Sequence, residues 1–232
     1  IIILKISDKK NIDSIKEIIL FPFGGNAKEA LSTINAINNN KKIWNTIGFI
    51  DNNFDLLGKN FAGKKVLGDK NILPSYPNSR VLAVPGRPDS YRERDSIINS
   101  LGVSNDRFAS IIHPSAQIAN GTKIGYNTFI KAGAVIAVDV KIGNHCVILP
   151  NTVISHDTII EDYCIIGSNV SISGYVHIER NCYIGTGSKI VQELTIKEKS
   201  LIGIGTVVLK STELGAVIVG NPGRLLKNTR SV

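Results

Sequence analysis

The sequence predicts a small Rossmann-like α/β domain over residues 1–108 followed by a parallel β-helix of hexapeptide repeats over residues 109–232, and three observations carry that prediction. Isoleucine falls at every sixth position for sixteen consecutive repeats, from Ile112, Ile118 and Ile124 through Ile190, Ile196 and Ile202, with Val208 continuing the series. Four residues after nearly every isoleucine stands a small or β-branched residue, as at Thr122, Ala134, Val140, Thr152 and Val176. The first hundred residues lack this period and alternate apolar runs with helical patterns, the signature of a β-α-β unit.

The elements follow in chain order. Glu17–Phe21 reads as a buried strand, and Gly24-Gly25-Asn26 follows as a turn. A helix through Asn38 places Ala27, Ala30, Leu31, Ile34 and Ile37 on one face. Ile47–Ile50 forms a second strand ending at Asp51-Asn52, and Val81–Val84 a third ending at Pro85-Gly86-Arg87. Tyr91–Leu101 is helical and completes the α/β unit.

A six-residue period fits neither a helix nor an ordinary sheet. It fits a prism in which each repeat forms one short flat side and three repeats close one coil. The stiff isoleucines fill the interior and the second series takes the inward position near the corner. Glycine after the isoleucine, at Gly125, Gly143, Gly167, Gly185 and Gly203, is expected to help the chain turn between sides. All three cysteines, Cys146, Cys164 and Cys182, belong to the second series at one spacing, so they are expected to stack in one interior column as thiols in a reducing compartment.

Composition narrows the class. The chain is 43% hydrophobic without a long apolar run, which points away from a membrane span, and the opening IIILKIS is too short for the core of a signal peptide, so a cytoplasmic location is expected. A net charge of +8 suits phosphorylated small molecules. No block of Lys and Arg interleaves with aromatics, so a nucleic-acid partner is not expected. His113, His145, His156 and His177 occupy four different hexad positions, so they do not converge as metal ligands and no metal is expected. His113 reads as a domain-junction residue, and His145 and His177 as surface or corner residues.

Two places concentrate candidate chemistry. In the α/β unit, Gly24, Gly25 and Asn26 lie at the carboxyl end of one strand, Asp51 and Asn52 at the end of the next and Arg87 at the end of the third, where open α/β sheets bind ligands. In the prism, His156 follows an inward isoleucine by two residues, so it points outward near a corner, with Val138 and Gly174 as its neighbours in adjacent coils. Gly174 leaves room beside the imidazole, and Asp157 can orient it and stabilise its cation.

The chain resembles the bacterial NeuD/PglD-like sugar acyltransferases. The matching stretches are Gly24-Gly25-Asn26-Ala27-Lys28, Gly48-Phe49-Ile50-Asp51-Asn52, Leu56-Leu57-Gly58-Lys59, Ile112-His113-Pro114-Ser115-Ala116, Ser155-His156-Asp157 and Val219-Gly220-Asn221-Pro222-Gly223-Arg224. The resemblance implies a left-handed β-helix, a homotrimer with active sites between subunits, and acetyl-CoA as co-substrate without a metal. It implies His156 as general base with Asp157 at the adjacent acidic position. It places acetyl-CoA along the prism near Gly174, Gly185, Gly187, Gly203 and Gly205, with Asn221 and Pro222 near the adenine end. A nucleotide-linked amino sugar would lie against Gly24, Gly25, Asn26, Asp51, Asn52 and Arg87 and reach a neighbouring subunit's His156. The chain departs from the family pattern at Leu149, where Asn is frequent, and at Phe21-Pro22-Phe23-Gly24-Gly25, where a G-x-G-G turn is usual.

The expected function is acetyl-CoA-dependent N-acetylation of a nucleotide-linked 4-amino-deoxysugar in bacterial surface-glycan synthesis. O-acetylation of a sialic-acid-type sugar needs the same base and stays open from the residues, as does a non-catalytic trimeric scaffold or nucleotide-sugar-binding protein. A nucleotide-sugar pyrophosphorylase is disfavoured because its Gly-rich, Arg-containing motif is missing from the N-terminal part.

Overall fold

The computed structural model describes residues 15–228, so IIILKIS lies outside the described residues. The α/β unit runs β1 (Lys16–Phe21), α1 (Gly25–Asn40), β2 (Trp44–Phe49), the short hairpin strands β3 (Asn60–Phe61) and β4 (Lys64–Lys65), β5 (Arg80–Ala83) and α2 (Arg94–Asn99). Its main sheet is parallel, in the order β2-β1-β5. The apolar stripe of α1 buries Ala27, Ala30, Leu31 and Ile34, as its spacing predicts. Asn38 ends the helix by accepting from the Ile43 and Trp44 amides and donating to the Trp44 carbonyl, which turns the chain directly into β2.

From Ile111 the chain winds into a left-handed parallel β-helix of about six turns. Two-residue strands stack in three parallel faces, each pairing with the strand one coil later, as in Phe129-Ile130 on Val147-Ile148 on Ile165-Ile166. We term that the first face. Val135-Ile136, Val153-Ile154 and Ser171-Ile172 form part of the second, and Lys141-Ile142, Ile159-Ile160 and His177-Ile178 part of the third. The isoleucines from Ile130 to Ile202 are buried in one column per face, whereas Ile112, Ile118 and Ile124 are half-buried in the first coil.

The corners correct one expectation. The chain does not turn at the glycine that follows the isoleucine; it turns two residues later, where fifteen successive repeats from Gly121 to Gly205 hold φ between 52° and 77°. Asn127, Asp139, Asn151, Asp157, Asn169 and Asn181 occupy that left-handed position, which suits their short polar side chains. The glycine after the isoleucine has another cause: a Cβ at Gly185 would lie 2.7 Å from the carbonyl carbon of Gly203 in the next coil.

The second inward series does more than fill space. The hydroxyls of Thr122, Thr128, Thr152, Thr158 and Ser188 each donate to the carbonyl fifteen residues on, in the corner of the next coil. Cys146, Cys164 and Cys182 do the same with their thiols, each at 3.1 Å. Burial pushes the Cys146 and Cys164 thiols well up, so they remain protonated donors.

The α/β unit sits on the first face and the two share one core. Phe129, Val147 and Ile165 point outward from that face into a cluster with Leu20, Ala27, Leu31 and Leu82. Each such side chain contributes about 1.5–3 kcal/mol, so the joint is held as firmly as a domain interior. Leu149, where the resembling family often has Asn, packs against the same cluster.

Polar bolts fix the orientation. The Asn127 amide accepts from the Ala83 N–H at 2.7 Å and donates to the Ala83 carbonyl at 2.8 Å, continuing the outer edge of β5 past the bridge that Phe108 makes to Val81. Lys131, buried, donates to Asn26 and Glu29 across the joint, and burial lowers its ammonium pKa. His145 stands at a corner, one of the two places its spacing allows, but not at the surface: it is 2% exposed, stacked on Tyr163 at 4.6 Å and met edge-on by Phe108 and Tyr126. Its Nδ1 lies 2.8 Å from Asn127 Nδ2 and accepts from it in the neutral ring. His177, by contrast, is half-buried on the third face and paired with Glu161.

Two predictions follow from this packing. Thr occupies the Cys164 column at Thr128, so Cys164→Thr keeps the donor, whereas Cys164→Val has the same shape and strands the Glu179 carbonyl. Denaturant unfolding should place the Val variant about 1–3 kcal/mol below the Thr variant, and equal stabilities would contradict the donor role. Burial pushes the His145 imidazolium from 6.5 down to about 4, Asp162 opposes that fall and Arg94 adds to it. Between those values the unfolded chain binds a proton that the folded chain refuses. Stability is therefore full above about pH 6.5 and declines, by on the order of 3 kcal/mol, as pH falls toward 4. His145→Phe should flatten that stretch of the stability profile; a variant as pH-sensitive as the wild type would contradict the assignment.

Candidate active site

His156 stands on the corner between the second and third faces. Its carbonyl accepts from the Tyr175 amide one coil up, and the next amide, of Asp157, donates to the Val138 carbonyl one coil down. Asp157 occupies the left-handed turn position at φ 57°, which swings its carboxylate back to the ring, Oδ2 lying 2.9 Å from His156 Nδ1. The ring lies over Gly174: a Cβ there would be 2.7 Å from Cε1 and 2.9 Å from Nε2. Tyr175 meets the ring edge-on at 5.2 Å. The His156 side chain is 51% exposed, so Nε2 is accessible while Nδ1 is held. Tyr175 was not singled out from sequence, although it stands one coil above Asp157 at the same turn position and the register alone locates it.

The α/β unit supplies the second part. Gly24, Gly25, Asn26, Asp51, Asn52 and Arg87 all line one cleft of about 430 Å³ at the carboxyl ends of β1, β2 and β5. Pro85 and Gly86, read from sequence only as the end of the third strand, also line it, and so do Ser90 and Ile97, which no motif marks. Neither Gly24 nor Gly25 has a left-handed φ, and a Cβ on either would touch nothing within 4 Å. Neither fold nor packing demands glycine there, and the pair leaves the start of α1 open to the cleft. That helix start carries no side-chain cap and no acidic residue in its first turn, a setting that favours an anion.

Within the cleft the candidates divide by role. Asp51 accepts from the Phe23 amide through Oδ2 and from the Asn53 amide through Oδ1, both at 2.9 Å, so it shapes the turn as well as facing the cleft. Asn26 bridges the Val84 carbonyl and Lys131, which makes it part of the joint. Arg87 is exposed and pairs with Asp89.

The candidate glycines of the prism fall at two corners. Gly174 belongs to the His156 corner, whereas Gly185, Gly187, Gly203 and Gly205 line the corner between the first and second faces. Close stacking of coils accounts for Gly185 and Gly203, and left-handed φ for Gly187 and Gly205. The second face lies between these two corners, with Val135 and Val153 exposed on it. Asn221 and Pro222 lie beside its last strand, since the flanking Gly220 carbonyl and Gly223 amide both bond Val207. The second face is thus bordered by every prism residue that the sequence placed in the candidate site.

The cleft and His156 are on different parts of one chain. The α/β unit covers the first face, and the His156 corner is the one corner that does not border it. A larger hollow of about 540 Å³ lies on the third face against Glu161, Asp162 and Arg180. Its acids are already engaged, Glu161 by His177 and the Arg180 amide, Asp162 by Asn144. Among the described residues no group of three or more His, Cys, Asp or Glu is placed to hold a metal ion, and no helix is long and apolar enough to cross a membrane.

Known proteins share this architecture. Residues 108–221 match the family described as the GMPPB C-terminal domain. No curated protein matches the chain in sequence. Among solved structures, a histidine-to-alanine variant of GDP-perosamine N-acetyltransferase from Caulobacter crescentus, in complex with CoA and GDP-perosamine, superposes with a TM-score of 0.80 at 22% identity, over 91% of this chain and 97% of that one. The acetyltransferase domain of PglB from Neisseria gonorrhoeae, in complex with acetyl coenzyme A, gives 0.80 at 21% identity over 92% and 100%. WeeI from Acinetobacter baumannii gives 0.76 at 24% over 92% and 100%. The chain has the fold of these proteins, a Rossmann-like α/β unit joined to a left-handed β-helix of hexapeptide repeats.

Proposed function

We propose that the chain is an acetyl-CoA-dependent N-acetyltransferase acting on the amino group of a nucleotide-linked 4-amino-deoxysugar, as used in bacterial surface glycans. The observation that carries the reading is His156, with Nδ1 held at 2.9 Å by Asp157, its ring laid over Gly174 and its Nε2 open to the surface. The fold shared with proteins that bind CoA and GDP-perosamine supports it.

The chemistry follows from that arrangement. Asp157 accepts the Nδ1 hydrogen, which leaves the Nε2 lone pair as the base. The sugar amine attacks the thioester carbonyl as Nε2 takes its proton, and Asp157 steadies the imidazolium that forms. Collapse of the tetrahedral adduct breaks the C–S bond, and the proton on Nε2 passes to the departing CoA sulfur. The second face, small and apolar between its two corners, is the proposed bed for the pantetheine chain. Asn221 and Pro222 stand at the proposed adenine end.

Because the cleft and His156 belong to separate parts of one chain, the reading also requires a second copy, and a homotrimer closes such a site by symmetry. The cleft of one subunit then presents the sugar to the His156 of its neighbour. The three buried free cysteines fit the reducing cytoplasm, where nucleotide-linked sugars are built.

The test incubates the protein with acetyl-CoA and a panel of UDP-, dTDP- and GDP-linked amino sugars, alongside free sialic acids, and follows thiol release and product mass. A mass gain of one acetyl group on a nucleotide-linked amine is expected. Gain on sialic acid alone would replace the reading by O-acetylation, and ligand binding without turnover would replace it by a binding protein. His156→Ala should lower kcat by about 10²–10⁴-fold with both ligands still bound. Gly174→Ala, which pushes the ring from its seat, should cost on the order of 10²-fold, and full activity in either variant would remove His156 from the chemistry.

A further inference from the structure

Arg94 is the largest completely buried side chain among the described residues, at 0% exposure. It lies at the start of α2 and reaches across the joint into the prism, where Nε donates to the Tyr163 carbonyl and Nη2 to the His145 carbonyl. Its third nitrogen, Nη1, has no hydrogen-bond partner. No carboxylate pairs with it among the described residues: Asp95 pairs with Arg180, Asp89 with Arg87, and Glu29 with Lys131. A buried guanidinium with only backbone carbonyls for company is costly, and burial lowers its pKa to about 10, still far above neutrality. The charge is therefore present and uncompensated.

Its position gives that charge an outlet. Nη1 lies 3.5 Å from where a Cβ on Gly86 would sit, and Asn26 Nδ2 lies 2.8 Å from the same point. Gly86 and Asn26 are wall residues of the cleft, and Ser90 and Ile97, on either side of Arg94 in the chain, line it too. One glycine thus separates a desolvated cation from the cleft, beside the uncapped start of α1 and the exposed Arg87. Low-dielectric surroundings carry the field of such a charge further than water does.

We propose that Arg94 is the fixed positive charge with which the cleft holds the phosphates of a nucleoside diphosphate, acting from behind Gly86 without touching the ligand. The inference rests on the cleft being the nucleotide site. It adds that the side chain which bolts the α/β unit to the prism is also a positioning residue for the substrate. Occupancy of the cleft and firmness of the joint are then coupled, because an anion in the cleft relieves the charge that the joint buries.

The test measures calorimetric affinities of the full chain for UDP, GDP and dTDP and for the matching nucleosides, with CoA as the control for an intact prism. In the wild type the diphosphates bind more tightly than the nucleosides. Arg94→Met should shrink that ratio by on the order of tenfold while nucleoside and CoA affinities hold, and Arg94→Lys, which keeps the charge, should preserve most of it. Arg94→Gln, neutral but still able to donate to a carbonyl, takes the place of Arg94→Met if the latter does not fold. An unchanged ratio in the neutral variant overturns the role of Arg94 and leaves the cleft reading standing. Failure of the wild type to bind any diphosphate overturns the cleft reading, and this inference with it.

Discussion

The register of the prism is the constraint on which the molecule depends. Each inward isoleucine stacks on the isoleucine one coil later, and every residue between them inherits a fixed height and corner. That register sets Gly174 against His156, brings Asp157 into the left-handed turn and stacks the three thiols as donors. A one-residue slip would turn every inward side chain outward, so the buried isoleucine columns protect the site as well as the fold.

A second constraint is the joint. The first face gives up its outward residues to the core of the α/β unit, and this leaves the second face and the His156 corner uncovered. Fixed orientation of the cleft follows from Asn127, Lys131 and Arg94, three polar side chains that reach across a largely apolar contact. Polar groups buried in this way specify one arrangement because misplacement leaves each of them unpartnered.

Much of this was legible in the chain. The hexad needs no tertiary knowledge, because period alone separates it from helix and sheet, and the outward placement of His156 beside Gly174 follows from counting coils. The six cleft residues were found because strand ends can be read from local patterning. The turn position was also written in Asn127, Asp139, Asn151, Asn169 and Asn181, but His145, Tyr163 and Tyr175 share it and blur the signal. What sequence could not supply was which corner lies under the α/β unit. His145 looked like a corner residue and is one, yet it is buried because that corner is covered. Arg94 stands among charged residues in a short helical segment and gives no sign of its burial, since only the joint decides which of Arg92, Arg94 and Arg107 turns inward.

If one subunit's cleft presents the sugar to another subunit's His156, mixed assembly will show it. His156→Ala removes the base from one kind of subunit, and Gly25→Trp, at a position where a side chain meets only the cleft, fills the sugar site of the other. Each variant alone should be inactive. Equal mixtures co-expressed in one cell should recover about a quarter of wild-type turnover, because one in four interfaces then pairs an intact cleft with an intact His156. Mixtures as inactive as the separate variants would show that cleft and base act within one chain, and no site between subunits would stand.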